Sequence, residues 1–442
     1  MSRSKDILTS DFKPVPFWWD DFAPTDEGSV APSQKVDVAI VGSGYAGLNA
    51  ALELARNGRS VVVLEVEKFG TGASTRSAGH ISSGSNLGKA PGAAAKTPME
   101  KNLPPEKVHA LLENAGQAFL HLENLIDNEN IDCSYERSGR FIGASTKAHY
   151  DGLARKVDKL NEAANAEIEM LPPERVHEEI STNIYHGGMV GHRAGQLHPS
   201  LYYKGVLEAC QKAGVMMSAH AGVQKISGSA GDFTLETAAG QVRADQIIIA
   251  TNGYTGDVTY QLKKRLMPIG SYMIATEELG ENRVKALLPN LRTQANSARI
   301  LNYFRPSPDR KRILFGGRVR FRLDPAELAA PGLHKALVKV FPELEDTKVS
   351  HAWTGNCAFT FDALPHIGTM EGLHYCLGCN GSGVATMTYL GHQTARRVLG
   401  DEACAFNGLD FPSRPFYEGK PWFLPVVGNY FRLRDHLDQW FD

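Results

Sequence analysis

Between Val36 and Glu65 the chain reads as strand, glycine turn, helix, strand, and no other segment limits the fold so tightly. Val36–Val41 is a short apolar run, Gly42-Ser43-Gly44-Tyr45-Ala46-Gly47 follows at once, Ala46–Asn57 carries a helical pattern closed by Gly58, and Ser60–Glu65 is rich in β-branched residues. Two short, mostly apolar runs joined through a helix form the βαβ unit of a parallel sheet covered on both faces. A G-x-G-x-x-G pattern alone is weak, since glycines cluster in loops. In this setting each glycine has a mechanical reason: Gly42 allows the tight turn, Gly44 lets a pyrophosphate approach the backbone, and Gly47 lets helix and strand pack closely. The helix start offers free N–H groups and partial positive charge to phosphates. Glu65, ending the second strand, accepts hydrogen bonds from ribose hydroxyls and repels a 2′-phosphate, which disfavours NADP.

A second loop of small residues, Gly70-Thr-Gly72-Ala73-Ser74-Thr-Arg76-Ser-Ala-Gly79-His80, comes soon after the ribose acid. A nicotinamide dinucleotide site has no such loop, whereas a longer cofactor lying extended would use it. Two later segments agree. Ile247-Ile-Ile-Ala250-Thr251-Asn-Gly253 is an apolar strand ending in a small polar turn, and Gly378-Cys-Asn-Gly381-Ser-Gly383-Val384-Ala385 runs into a helix expected over Val384–Leu399. That helix start suits negative charge on the N1–C2=O edge of a reduced flavin. The expected cofactor is therefore FAD, and Val223 is counted with these segments in the cofactor set. Arg76 serves either a cofactor phosphate or structural carbonyls. His80 falls at the flavin end as a hydrogen-bonding loop histidine. No cysteine lies between Gly70 and His80, so the FAD is expected to be non-covalent.

With 442 residues the chain has material for two or three cores. A formal net charge of −2 and 22% charged residues give no electrostatic footprint for nucleic acid. The N-terminal residues lack an apolar signal region, and the run Val36–Leu54 is broken by three glycines, so a soluble, cytoplasmic protein is expected. The six cysteines are scattered. Cys376-Leu-Gly-Cys379 has no second ligand pair nearby, and both residues read as small packing residues, with no metal site.

Further helices are expected at Pro105–Asn130, Ala148–Ala166 and Leu201–Ala213, and strands at Val215–Ala219, Phe233–Thr237, Gln241–Ala244, Gln246–Ala250, Met267–Ala275, Arg312–Arg320 and Leu373–Leu377. Short apolar strands alternate along the chain with longer, amphipathic ones. The expected architecture is α/β: a Rossmann-type FAD-binding domain at 36–104, 196–258 and 350–405, and a discontinuous mixed or antiparallel-sheet substrate domain at 105–195 and 259–349. An N-terminal arm at 1–35, with Phe17, Trp18 and Trp19, and a C-terminal tail at 406–442 would pack on this core.

Taken together the segments resemble the D-amino-acid oxidase superfamily of flavoproteins, within it the gamma-glutamylputrescine oxidase-like subfamily. The likeness is carried by Val41-Gly-Ser-Gly-Tyr-Ala-Gly-Leu, Val63-Leu-Glu65, Gly72-Ala-Ser with Arg76, Gly195-Gln-Leu-His198-Pro199, Ala250-Thr-Asn-Gly-Tyr254, Leu301-Asn-Tyr303-Phe-Arg305, Leu314-Phe-Gly-Gly317, Trp353-Thr-Gly355, Leu364-Pro365 and Gly381-Ser-Gly383-Val. Two stretches depart from it: the loop after Ser74 reads Thr-Arg-Ser-Ala-Gly-His where relatives have Gly-Arg-Asn-Gly-Gly-Gln, and Ser382 stands where a histidine is common. Both fall at the expected flavin face. The resemblance implies hydride transfer from the carbon beside a nitrogen to the flavin, then hydrolysis of the imine, with O2 or another acceptor reoxidising the cofactor.

The substrate would be a small amine or amino acid, for which Tyr254, Tyr303 and Trp353 are candidate ring walls around an ammonium. Arg305 and Arg318 are candidate carboxylate clamps. His198, before Pro199, reads as a helix start. A same-fold dehydrogenase passing electrons to a quinone or protein is the alternative. An RNA-modifying flavoprotein should show a basic surface or an added domain, and a flavin binder without catalysis would fail an amine screen.

Overall fold

The computed structural model describes residues 7–32, 35–85, 87–88, 96–320 and 324–440. The first six residues of the expected arm lie outside that set.

Lys35–Val41 is the centre of an eight-stranded sheet. Val61–Leu64 and then Met216–Ser218 run parallel to it on one side, and Gly240–Ile249 and Leu373–Leu377 run parallel on the other. Every residue of Val61–Leu64 is buried, as its all-apolar sequence requires. Gln241–Ala244 and Gln246–Ala250, expected as two strands, are one strand of ten residues, Gly240–Ile249. Its first half lies in an antiparallel meander with Asp232–Thr237 and Val223–Ser229, with one face to solvent. Its second half is buried in the parallel sheet, so the apolar pattern changes phase at Asp245 and mimics a break.

The second sheet has nine strands in the order Leu8–Lys13, Val349–Phe359, Met267–Thr276, Ile313–Gly317, Asn302–Pro306, Thr293–Asn296, Arg140–Gly143, Gly188–Gly191, Ile168–Leu171. Its pairs are antiparallel except Leu8–Lys13 on Val349–Phe359 and Thr293–Asn296 on Arg140–Gly143. Val349–Phe359 was expected in the cofactor half, which was to resume at residue 350. Instead it pairs along its length with Met267–Thr276, so the chain returns to the parallel sheet only after Phe359. Its first five residues are all buried.

Pro105–Asn128 is helical as expected, and Pro199–Lys212 begins with the His198 ring accepting the Leu201 N–H at 3.1 Å. Ala148–Ala166 is not one helix but two, Lys147–Ala154 and Val157–Ala164, interrupted at Arg155-Lys156 just after Gly152. Arg312–Arg320 keeps strand geometry only over Ile313–Gly317, where the ladders to Asn302 and Tyr272 end, and Arg318 leaves the sheet. The C-terminal tail contains a helix, Leu424–Trp440, that periodicity did not reveal; Arg299 anchors it through Asp435 and Asp438. In the N-terminal arm Trp18 is fully buried and its Nε1 donates to Ser77 O at 2.9 Å, while Trp19 Nε1 donates to Thr75 Oγ1 at 3.0 Å. The arm therefore braces the second glycine-rich loop.

The helix Tyr45–Arg56 crosses the helix Gly383–Val398 closely enough that a Cβ on Gly391 would stand 2.2 Å from Ala46 O. The amino-terminal turns of both helices line one cleft.

Candidate functional site

A cavity of about 470 Å³ runs from the C-terminal ends of the parallel strands, at Val41, Leu64 and Ile249, to the underside of the antiparallel sheet at Ser271, Met273 and Tyr303. Its size is that of a small-molecule site, and its position at the carboxyl ends of a parallel sheet is where nucleotides bind in open α/β folds.

At the nucleotide end Gly42 has φ +103, and a Cβ there would lie 3.0 Å from Ala250 O. Gly44 caps the helix with no side chain of its own, and a Cβ there would crowd the cradle 3.3 Å from Ser74 Oγ. Gly47 does not reach the cavity. A Cβ on it would meet Gly42 O at 2.0 Å, so it lies beneath the turn and sets helix-to-strand packing. Ser43, Tyr45, Ala46 and Glu65 line the cavity. Tyr45 N donates to Ser74 Oγ at 3.1 Å, and its hydroxyl donates to Ser74 O at 2.8 Å, which ties the two glycine-rich loops together. These features fit the adenosine and pyrophosphate of FAD: bare backbone at Gly42 and Gly44, a helix start that Gly44 leaves without a cap side chain of its own, and a fixed acid.

Gly72, Ala73, Ser74, Arg76, Gly79 and His80 carry the lining onward, with Val223, Ala250 and Thr251 on one wall and Gly381, Gly383, Val384 and Ala385 on the other. The Arg76 guanidinium is taken up by backbone, its Nε donating to Thr71 O at 2.8 Å and an Nη to Thr354 O at 3.0 Å, and it stacks on Trp19. Of its two sequence readings, the structural one is occupied. His80 and Tyr303 meet edge to face at 6.0 Å between centroids, and among the described residues the buried His80 Nε2 has no partner. Burial, with Arg140 and Arg305 nearby, holds its pKa well below the ordinary histidine value, so the ring is neutral.

The substrate candidates divide. Tyr254, Tyr303 and Arg318 line the cavity; Arg305 and Trp353 do not. Arg305 is buried with its guanidinium donating to Pro306 O, Ala78 O and Leu197 O and stacked on Trp18, which corrects its reading as a clamp. Burial lowers its pKa to about 9. Trp353 is buried too, donating Nε1 to Arg76 O at 2.9 Å, and is a brace instead of a cage wall. The Tyr303 hydroxyl pairs with Ser271 Oγ at 2.7 Å, and burial pushes its pKa to about 12. Arg318 stacks on Phe359 at 4.5 Å and, among the described residues, has no ion-pair partner. Tyr254 stands half-exposed, its hydroxyl accepting the Asn356 N–H at 3.4 Å.

Three lining residues escaped the sequence reading. Arg140 is buried with Nε unpartnered, and burial lowers it to about 10; nothing in the run Ser138–Gly143 marks it. Asn252, in the turn after Ala250, accepts the Gly378 N–H at 3.0 Å through Oδ1 and joins two cofactor segments. Cys379, read as packing, faces the cavity beside Cys357. Among the described residues no His/Cys/Asp/Glu cluster could hold a metal ion, and no helix is long and apolar enough to cross a membrane.

A glycine-lined cleft between a parallel nucleotide-binding sheet and a large antiparallel roof defines a flavoprotein oxidoreductase architecture. The sequence profile of the DAO family of FAD-dependent oxidoreductases matches residues 37–397, and the chain belongs to that family. It is 30% identical to gamma-glutamylputrescine oxidoreductase of Escherichia coli (strain K12) over 422 residues, 94% of this chain and 96% of that protein. It is 27% identical to the probable oxidoreductase OrdL of Haemophilus influenzae over 387 residues, 86% of this chain and 87% of that one. Among solved structures it is similar in fold to glycine oxidase from Geobacillus kaustophilus, with a TM-score of 0.68 and 20% identity over 87% of this chain and 99% of that one. L-proline dehydrogenase from P. horikoshii also gives 0.68, with 15% identity over 90% and 99%.

Proposed function

We propose that this FAD-dependent oxidoreductase oxidises a C–N bond in a small amine or amino acid that carries a carboxylate. The observation that carries the reading is Arg318: a guanidinium that, among the described residues, meets no Asp or Glu and faces the cavity beside the Tyr303 hydroxyl and the sulfurs of Cys357 and Cys379. A carboxylate is the anion that such a fork binds in two parallel hydrogen bonds. Tyr303 and Tyr254 offer ring faces to an ammonium or amine. When bound, FAD supplies the hydride acceptor. His80, held neutral, adds no charge against a departing proton, and the antiparallel roof keeps water from the reacting carbon. No lining group at the flavin end acts as a strong base, and a neutral amine needs none.

Gamma-glutamyl amines are the first substrates to test, since the Escherichia coli relative is named for gamma-glutamylputrescine, and secondary amines follow, with O2 as acceptor. A same-fold dehydrogenase passing electrons to a quinone or protein is the second reading. On this reading FAD is held non-covalently in a cytoplasmic enzyme, and acid precipitation should leave the yellow colour in the supernatant. The test is an anaerobic screen of amines, gamma-glutamyl amines and N-methyl amino acids for bleaching of the flavin absorbance. Bleaching by a carboxylate-bearing amine without NADH or NADPH is expected; reduction only by nicotinamides removes the reading. Comparing reoxidation by air with that by an artificial quinone separates oxidase from dehydrogenase.

A further inference from the structure

Two thiols meet where the halves of the cleft join. Cys357 lies near the end of the roof strand Val349–Phe359, and Cys379 lies in the glycine turn before the helix Gly383–Val398. Both line the cavity, close enough that the Cys357 side chain acts directly on the Cys379 thiol. Cys379 Sγ also lies 3.8 Å from the carbonyl of Ala358, the residue after Cys357. The Asn380 N–H donates to that same carbonyl at 2.9 Å, which pins the turn against the strand. From the other side Asn252 Oδ1 accepts the N–H groups of Gly378 at 3.0 Å and Cys379 at 3.4 Å. The two sulfurs are thus held as a pair by backbone hydrogen bonds from separate elements.

Their chemistry differs from that of the other cysteines. Burial pushes Cys210 and Cys376 up to about 12, as for inert core thiols. Hydrogen bonds from Cys357, and then from Asn252 and the Gly381 backbone, hold Cys379 down to about 6 against its burial. The Arg318 guanidinium adds positive charge facing both sulfurs.

We propose that Cys357 and Cys379 form a peroxide-sensitive dithiol that closes to a disulfide across the cleft. The oxidant is hydrogen peroxide from solution. First the Cys379 thiolate attacks one peroxide oxygen: an S–O bond forms, the O–O bond breaks, and the hydroxide released takes up the proton shed by the thiol to leave as water. Then the Cys357 sulfur attacks the oxidised Cys379 sulfur: the S–S bond forms, the S–O bond breaks, and the leaving hydroxyl takes the Cys357 proton to give a second water. The two thiols together lose two electrons, and the peroxide gains them. The product joins the roof strand to the turn that starts the flavin-side helix, next to Arg318. It makes this corner of the cleft a site of reversible modification, whichever electron acceptor the enzyme uses.

The test treats the FAD-loaded full chain with hydrogen peroxide, titrates thiols in denaturant and maps the peptides. Two of the six thiols should disappear, a Cys357–Cys379 linked peptide should appear, the mass should fall by two hydrogen atoms, and dithiothreitol should reverse all three changes. In C357S, with FAD retention checked, Cys379 should instead gain oxygen irreversibly. C379S should leave Cys357 reduced at the same exposure. Treated wild-type protein with all six thiols intact, or with Cys379 oxygenated while Cys357 stays free, overturns the proposal; neither result bears on which amine is the substrate.

Discussion

The Glu65 carboxylate accepts both hydrogen bonds Ser43 has to give, from its backbone N–H at 3.0 Å and its hydroxyl at 2.6 Å. The Ser43 hydroxyl lies 3.0 Å from that of buried Tyr203, and the other Glu65 oxygen accepts the Val66 N–H at 2.9 Å. The acid that would meet the ribose is therefore aimed before any ligand arrives. Glu65→Ala removes it and should weaken FAD binding by about 1.5–3 kcal/mol, the size of hydrogen bonds to a charged group. That is roughly 10- to 100-fold in Kd. Titration of apoprotein with FAD, followed by flavin fluorescence, reads the change. An unaltered Kd would take Glu65 out of the adenosine end.

Arg318 and Arg305 test opposite ideas about a cationic residue. Arg318→Met should leave thermal stability nearly unchanged, since its guanidinium stacks on one ring and meets no acid among the described residues. It should lower kcat/KM for carboxylate-bearing substrates by the equivalent of about 2–5 kcal/mol, with little loss for amines lacking the carboxylate. Arg305→Met should do the reverse. It strands carbonyls that Arg305 now satisfies, each costing about 1–3 kcal/mol when left buried and unmet. Thermal unfolding and steady-state kinetics on both variants separate the two roles. A loss of stability in Arg318→Met with unchanged kinetics would make it a structural residue like its neighbour.

The parallel half of the fold was legible because its signals are local: a glycine turn, an apolar run and a helix follow each other within Lys35–Leu64. The antiparallel half was legible only strand by strand. Val349–Phe359, a mixed run of polar and apolar residues, gave no strand signal of its own, and only its pairing with Met267–Thr276, far away in sequence, assigns it to the roof. The same limit governs the site. Glycines announce a cradle through spacing, but Arg305 and Arg318 are alike in sequence and differ in which carbonyls or ring the fold brings to them. Arg140 and the pairing of Cys357 with Cys379 depend entirely on strand order. The helix Leu424–Trp440 went unseen because much of its apolar surface stays exposed, at Val426, Tyr430 and Leu433, and blurs the periodicity.

Buried neutral histidines set the acid limb of stability. Burial lowers His121 and His374 to about 4, and His80 also lies well below the ordinary value. A histidine whose pKa is lower folded than unfolded binds fewer protons in the folded state, so acid favours unfolding. Stability should therefore be at its plateau above the unfolded histidine pKa, about 6.5, and fall as pH drops from there toward about 4. The combined effect is on the order of a few kcal/mol, since a tenfold difference in proton affinity between folded and unfolded ring is worth roughly 1.4 kcal/mol. Urea midpoints at about pH 7 and about pH 5 measure it, and His374→Gln should lessen the difference. Equal midpoints would mean that these rings titrate normally in the folded protein.

Reduction of the flavin by substrate should speed up as pH rises, and the midpoint should belong to the substrate. An ammonium has no lone pair to stabilise the imine that forms as hydride leaves, so the amine must be neutral when it reacts. The flavin end of the cavity supplies only weak bases for that proton: burial holds His80 well below the ordinary histidine value, the Cys379 thiol is held down to about 6, and the Tyr303 phenol, pushed up to about 12, keeps its own proton. Arg318 and Arg140 both face the cavity as cations, and like charge disfavours a bound ammonium. The bound amine's apparent pKa should accordingly lie below its value in water, which makes the reactive form available near neutrality. Rapid mixing under anaerobic conditions, repeated over a range of pH, gives the profile. Two substrates that differ in amine basicity then identify its origin. A midpoint that follows the amine supports loss of the substrate proton before hydride transfer, whereas one fixed near 6 for both would point to Cys379. A rate independent of pH would remove the requirement for a neutral amine altogether.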